Sequence, residues 1–101
     1  MDFNDEIIKE ALSNILIRKR EKLKISREEL ARRALMHPNS LYFIEKGGRK
    51  LHGNAVKDRK HAISLGNFMR IAVALQMTPS GLMRLLSAEI EELTPKKTHR
   101  K

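Results

Sequence analysis

Lysine and arginine dominate the residues of this chain that could do chemistry. Twenty-one of them stand against twelve aspartates and glutamates in 101 residues, a formal charge of +9. Their placement is uneven: residues 1–16 carry net −3, residues 17–61 net +9, residues 62–95 net −1, and the last six residues +4. A surface charged only for solubility has no reason to segregate in this way, whereas a face that meets a polyanion does. The chemistry implied is attraction of phosphate rather than the making and breaking of bonds. The four histidines, His37, His52, His61 and His99, show no i, i+4 pairing, and no acid cluster completes a metal site. Cysteine is absent, which removes disulfides and cysteine-held zinc. No glycine-rich phosphate loop follows a strand pattern, and no nucleophile motif occurs. The expectation is no catalytic residue, no metal and no cofactor.

Those bases must be carried by one domain, since 101 residues bury a single modest core. At 41% apolar and 33% charged the composition is that of a folded chain rather than a disordered one. The N-terminus, MDFNDEIIKE, is acidic where a signal peptide would be basic, and the longest nearly apolar stretch, Ile71 to Leu75, is far short of a membrane span. A soluble, cytoplasmic protein without a membrane partner is expected, its domain covering residues 1–95 and a basic tail covering 96–101.

Helix signals punctuate the domain. Asp5 to Lys24 has neither Gly nor Pro, Asn4 or Asp5 can cap it, and Ile8, Leu12, Ile15, Leu16 and Leu23 recur at helical spacing. Ser26-Arg27-Glu28-Glu29 is a capping box, in which Ser26 accepts from the Glu29 amide and the Glu29 carboxylate reaches back to the Ser26 amide. His37-Pro38 breaks the chain and suits the first turn of a helix running to about Lys46, after which Gly47-Gly48 tolerates a helix end. Residues 48–62 are polar and basic without a period, and read as an exposed loop. Ser64 caps a fourth helix with Leu65, Phe68, Met69, Ala72 and Leu75 as its apolar face. Thr78-Pro79 opens a fifth, with Leu82, Leu85, Leu86, Ile90 and Leu93, and Pro95 ends it. The fold class is all-α, with five helices.

The unit that stands out is the short helix, tight connection and short helix over residues 27–46. Such a pair buries a few apolar positions between nearly perpendicular helices, here Leu30, Ala31, Met36, Leu41 and Ile44, and leaves the second helix projecting outward. The run ISREELARRALMHPNSLYFIEKGGRK followed by ISLGNFMRIAVALQMTPSGLM resembles the lambda-repressor-like, Cro-type helix-turn-helix regulators of the XRE family over roughly Leu16 to Leu86. The resemblance rests on the Ser26 cap with its EEL-A, the IE-x-G ending at Ile44-Glu45-Gly47, and the capped A-x-A-L pattern at Ser64 to Leu75. It implies a five-helix DNA-binding domain, here with an extended first helix and a long basic loop after the recognition helix. Three positions depart from the family pattern. Leu35 stands where Gly is usual, so the turn needs a strained or different backbone. Arg27 stands where Gln is usual, and the loop after Gly48 is about a dozen residues longer.

With Leu41 and Ile44 set inward at 100° per residue, Asn39, Phe43 and Lys46 point outward, Tyr42 lies beside them, and Pro38 and Ser40 flank them. A helix in the major groove reads base edges with such residues. Asn39 suits adenine, unless it is simply a solvated residue near a helix start. Tyr42 and Phe43 suit thymine methyl groups, unless Phe43 folds back into the core or a dimer contact. Lys46 suits guanine or phosphate. Phosphate contacts are expected from Ser26 and Arg27 at a helix N-terminus, from Ser40, and from Arg49, Lys50, Lys57, Arg59 and Lys60 in the loop. The resemblance further implies a partly buried structural ion pair between Arg20 and Glu45.

The expected function is a sequence-specific regulator of transcription, a repressor that binds double-stranded DNA as a homodimer on a near-palindromic operator. Its dimer surface would come from Phe3, Ile7 and Ile8 or from Leu86, Ile90 and Leu93, unless these residues close the core by packing the two ends of the domain together. The alternative is an antitoxin of the same fold that binds a protein toxin and represses its own operon. A non-specific nucleoid or RNA-binding protein would explain the charge and leave the helix-turn-helix pattern unexplained.

Overall fold

Local chemistry starts each helix. In the computed structural model, which describes residues 3–46 and 63–95, α1 spans Asp5–Leu23, α2 Arg27–Arg33, α3 Pro38–Lys46, α4 Leu65–Ala74 and α5 Pro79–Leu93. The side chains of Asn4, Ser26, Ser64 and Thr78 accept hydrogen bonds from the amides of Ile7, Glu29, Asn67 and Gly81, at 2.8–3.0 Å. Each satisfies an amide that the first helical turn leaves without a partner. At α3 the cap is His37, whose Nδ1 accepts from the Asn39 amide at 3.0 Å while Pro38 takes the first helical position, where its missing N–H costs nothing. The segment 48–62, with Arg49, Lys50, Lys57, Arg59 and Lys60, and the tail 96–101 lie outside the described residues.

The capping box forms only in part. Ser26 Oγ accepts from the Glu29 amide, but the Glu29 carboxylate turns away to Arg32 and Arg33. Three charge-assisted bonds, two from Arg32 at i+3 and one from Arg33 at i+4, outcompete one bond to a neutral amide. The Arg32 bond, followed by that of Arg33, holds this carboxyl below its ordinary range.

One apolar core joins all five helices. α1 packs against α5 and α3, α2 against α3 and α4, and α4 against α5. Leu16, Leu30, Ala31, Ala34, Leu41, Ile71, Ala72 and Leu82 are fully buried in it. Each buried leucine or isoleucine adds roughly 1.5–3 kcal/mol of transfer free energy. Ala31 is small where α2 meets its neighbours, so the short helix can approach them closely. Met36 is partly buried against the same cluster.

Two expectations about apolar faces change here. Leu86 and Ile90 of α5 are buried within the chain, with Ile7, Ile8 and Leu93 partly buried against the core, so the packing of α1 on α5 uses most of the residues available for a dimer surface at the two ends. Phe3 is left exposed. On α4, Phe68, Ala72 and Leu75 face inward together with Ile71, whereas Leu65 and Met69 point outward and continue into Val73 as an exposed stripe at i, i+4 and i+8. The helix is apolar most of the way round, and among the described residues its neighbours, α2 and α5, take its inner side. Leu85 of α5 is likewise exposed.

Three helices end on a non-glycine residue in the left-handed region: Lys24 after α1 (φ 61°), Leu35 after α2 (φ 58°) and Gln76 after α4 (φ 65°). The turn between α2 and α3 therefore keeps the backbone that a glycine would supply and accommodates a Cβ in it. Met36 donates to the Ala31 carbonyl at 2.9 Å across the turn, which closes α2. Leu35 is 81% exposed and packs against little, so its side chain returns almost nothing for the strain. A left-handed Cβ costs about 1–2 kcal/mol and glycine's extra unfolded-state freedom returns part of that. Leu35→Gly is therefore expected to raise stability by about 0.5–1 kcal/mol, read as a higher urea midpoint at unchanged slope; an equal or lower midpoint would show that the Leu35 backbone is not strained.

Candidate nucleic-acid interface

α3 is the outward helix of the pair, and its inner side holds it in place. Leu41 and Ile44 are buried, and Glu45 beside them is 1% exposed. A carboxylate in the last turn of a helix opposes the helix dipole, and burial adds the cost of desolvation. Both are offset by two arginines. Arg20 of α1 donates through Nε and Nη2 to the two Glu45 oxygens at 2.9 and 3.1 Å. Arg27 of α2 donates through Nε to Oε1 at 3.0 Å. Arg20 Nη1 also donates to the Ile25 carbonyl at 3.2 Å, which ties the turn between α1 and α2 to the same point. From the other side the hydroxyl of buried Ser13 donates to the Glu45 carbonyl oxygen.

The Arg20–Glu45 pair anticipated from the family resemblance is thus present, and it is larger than a pair. Arg27, expected at phosphate, has its Nε turned inward to Glu45. Ser13 and Arg20 stand seven residues apart on α1, which places them on one helical face. That spacing is the signal in the sequence from which both grips on Glu45 could have been read. A second polar clasp was also not anticipated: Asn14 and Arg18 of α1, at i and i+4, both donate to Glu89 of α5, at 3.0 and 3.2 Å. Arg18 had been counted simply among the bases crowding the second half of α1.

Exposure along α3 follows the sequence expectation in part. Pro38, Asn39 and Ser40 are exposed, Tyr42 is 37% exposed, and Phe43 and Lys46 are half-buried. Phe43 meets Tyr42 edge to face, with ring centroids 5.2 Å apart and planes at 78°. The Arg27 guanidinium lies 5.1 Å from the Tyr42 centroid and the Lys46 ammonium 5.5 Å from it. Two cations and two aromatic rings therefore form one patch around Tyr42, next to the exposed first turn of α3. Ser26 is exposed at the N-terminus of α2, although its hydroxyl already serves that helix's own amide.

A patch of this kind can do three things chemically. The cations attract phosphate, the exposed amide and hydroxyl of Asn39 and Ser40 can exchange hydrogen bonds with base edges or backbone, and the rings offer apolar area for a methyl group or a base. The described residues contain no group of three or more histidines, aspartates or glutamates able to hold a metal ion. Among them no helix is long and apolar enough to cross a membrane.

Residues 16–58 match the family model described as helix-turn-helix. No curated protein and no solved structure matches the chain.

Removing Glu45 strands two arginines, and removing Arg20 leaves the buried carboxylate with Arg27 as its remaining charged partner among the described residues. Arg20→Ala or Glu45→Ala is expected to cost about 3–5 kcal/mol, with the alanine at Glu45 the worse because it strands two arginines. Urea denaturation followed by circular dichroism checks this, and a loss below 1 kcal/mol for both would mean that the pair is solvated.

Proposed function

We propose that this protein represses transcription by occupying a near-palindromic operator as a dimer: its residues 16–58 match the helix-turn-helix family model, and the chain resembles the lambda-repressor and Cro-like regulators, which bind DNA. The observation that carries the reading is the two-sidedness of α3. Its inner side is fixed by Leu41, Ile44 and buried Glu45, and its outer side leaves Asn39, Ser40 and Tyr42 accessible next to two cations.

In this reading α3 lies in the major groove. Asn39 makes a bidentate pair with an adenine, Tyr42 and Phe43 contact thymine methyl groups, Lys46 reaches guanine or phosphate, and Pro38 abuts a base edge. Ser26 and Ser40 hydrogen-bond phosphate, and Arg49, Lys50, Lys57, Arg59 and Lys60 add charge to the same strand backbone. Arg27 stands at the N-terminus of α2, where a phosphate would approach, while its Nε serves Glu45. A helix of nine residues covers only a few base pairs, which supports a dimer with half-sites about one helical turn apart. The protein would act in the cytoplasm, on the nucleoid.

Selection from a random pool of duplex DNA at about physiological salt is expected to enrich a near-palindrome. Equal affinity for unrelated sequences, with steep loss on adding salt, would replace sequence reading by plain polyanion binding. Asn39→Ala is expected to relax preference at one base pair, lowering discrimination there by about 1–3 kcal/mol and leaving affinity for unrelated duplexes unchanged. If preference survives that substitution intact at every position, α3 is not the reading helix.

A further inference from the structure

We propose that Arg27 is a positioning residue for Tyr42: it fixes the ring's orientation on the outer side of α3, so that preference at the base pair met by Tyr42 depends on an arginine that does not itself read the base. The proposal rests on the reading of α3 as the helix that meets DNA.

Three observations converge on it. First, Arg27 is anchored. Its Nε bonds Glu45 Oε1 at 3.0 Å, and Glu45 is 1% exposed and held as well by Nε and Nη2 of Arg20. An arginine whose task is only to meet phosphate gains nothing from a tether to a buried acid, because the tether limits its reach and neutralises part of its charge. Second, the anchored guanidinium lies against the Tyr42 ring, 5.1 Å from its centroid, close enough for a cation–π contact. Third, among the described residues Tyr42 is held by its neighbours Arg27, Lys46 and Phe43, with no hydrogen bond to the core, and of the two cations beside it Arg27 is the one seen held at a second point. A planar guanidinium can bond a carboxylate edge-on and lie over a ring with its face at once. Lysine cannot do both with a single ammonium, and the glutamine usual at this place in the family has no charge to set over the ring.

The chain of contacts therefore runs from α1 through Arg20, Glu45 and Arg27 to Tyr42, and joins the buried ion pair to the surface. An arginine in direct phosphate contact would instead contribute equally to every duplex, whatever its sequence.

The test has one arm without DNA and one with it. Tyr42 is the only tyrosine of a chain that lacks tryptophan, so intrinsic emission of the whole protein reports that ring alone. Arg27→Lys is expected to lower the emission anisotropy of Tyr42 through faster ring motion, and unchanged anisotropy overturns the proposal. On DNA, the duplex selected by the unaltered protein is compared with its single-base variants over a range of salt. Arg27→Lys is expected to reduce discrimination about threefold at the Tyr42 position alone, the worth of one exposed cation–π contact, and to leave the salt slope unchanged. In a Tyr42→Ala background the same substitution is expected to change discrimination no further. A loss of the same size on every duplex, or an undiminished effect in the Tyr42→Ala background, overturns the proposal and returns Arg27 to the phosphates. Arg20 keeps Glu45 paired in each variant, and Arg27→Gln replaces Arg27→Lys if the latter lowers the melting temperature enough to blur the comparison. Failure of the unaltered protein to select any sequence is seen before any variant is made, and it overturns the reading of α3 itself.

Discussion

The buried carboxylate of Glu45 is the constraint on which the rest of the structure depends. An acid that is 1% exposed near the C-terminal end of a helix is unfavourable by position and by desolvation, and it survives only while its partners are in place. Those partners come from two helices: Arg20 of α1 and Arg27 of α2 hold the carboxylate, while Ser13 of α1 donates to the main-chain carbonyl of the same residue of α3. Apolar packing alone would let a nine-residue helix roll or slide on its leucine and isoleucine contacts, because dispersion and hydrophobic burial are not directional. Charge-assisted hydrogen bonds are directional, and here they set the rotation of α3 about its own axis. That rotation decides which residues face outward.

The two ends of the domain meet under a similar rule. α1 and α5 share apolar contacts through Leu86 and Ile90, and Glu89 of α5, receiving Asn14 and Arg18, sets their register. A carboxylate that is 14% exposed on its side chain and bonded at both oxygens is costly to shift by a turn. The extended first helix thus works as a spine. One of its faces grips α3 through Ser13 and Arg20, and another grips α5 through Asn14 and Arg18, within a span of eight residues.

Most of the architecture was legible in the sequence, because its information is local. Asn4, Ser26, Ser64 and Thr78, with Pro38 and Pro79, state where helices begin through chemistry confined to three or four residues, and all five helices start at the places these imply. The outward set on α3 was legible in part: Pro38, Asn39, Ser40 and Tyr42 are exposed, whereas Phe43 and Lys46, which 100° per residue points outward, are half-buried beside Tyr42. What could not be read depends on competition or on distance. Glu29 had two possible sets of partners, and the balance between an amide and two guanidinium groups is not visible in a spacing. α4 is apolar on more than one side, so periodicity could not say that Leu65 and Met69 lie outside while Phe68 lies inside. Arg27 looked like any base at a helix start, and its link to Glu45, eighteen positions away, follows from tertiary packing alone.

The outward stripe of Leu65, Met69 and Val73 on α4 bears on how this protein behaves in salt. An apolar strip on a chain of formal charge +9 is kept from meeting another copy partly by mutual repulsion, which has a range of about 10 Å at 0.1 M salt and about 3 Å at 1 M. In the role proposed for this chain, added salt would act twice: it would weaken attraction to a polyanion, and it would shorten the repulsion that keeps the strips of two copies apart. A titration that follows only the loss of bound protein would merge the two effects into one slope, and light scattering at each salt concentration separates them.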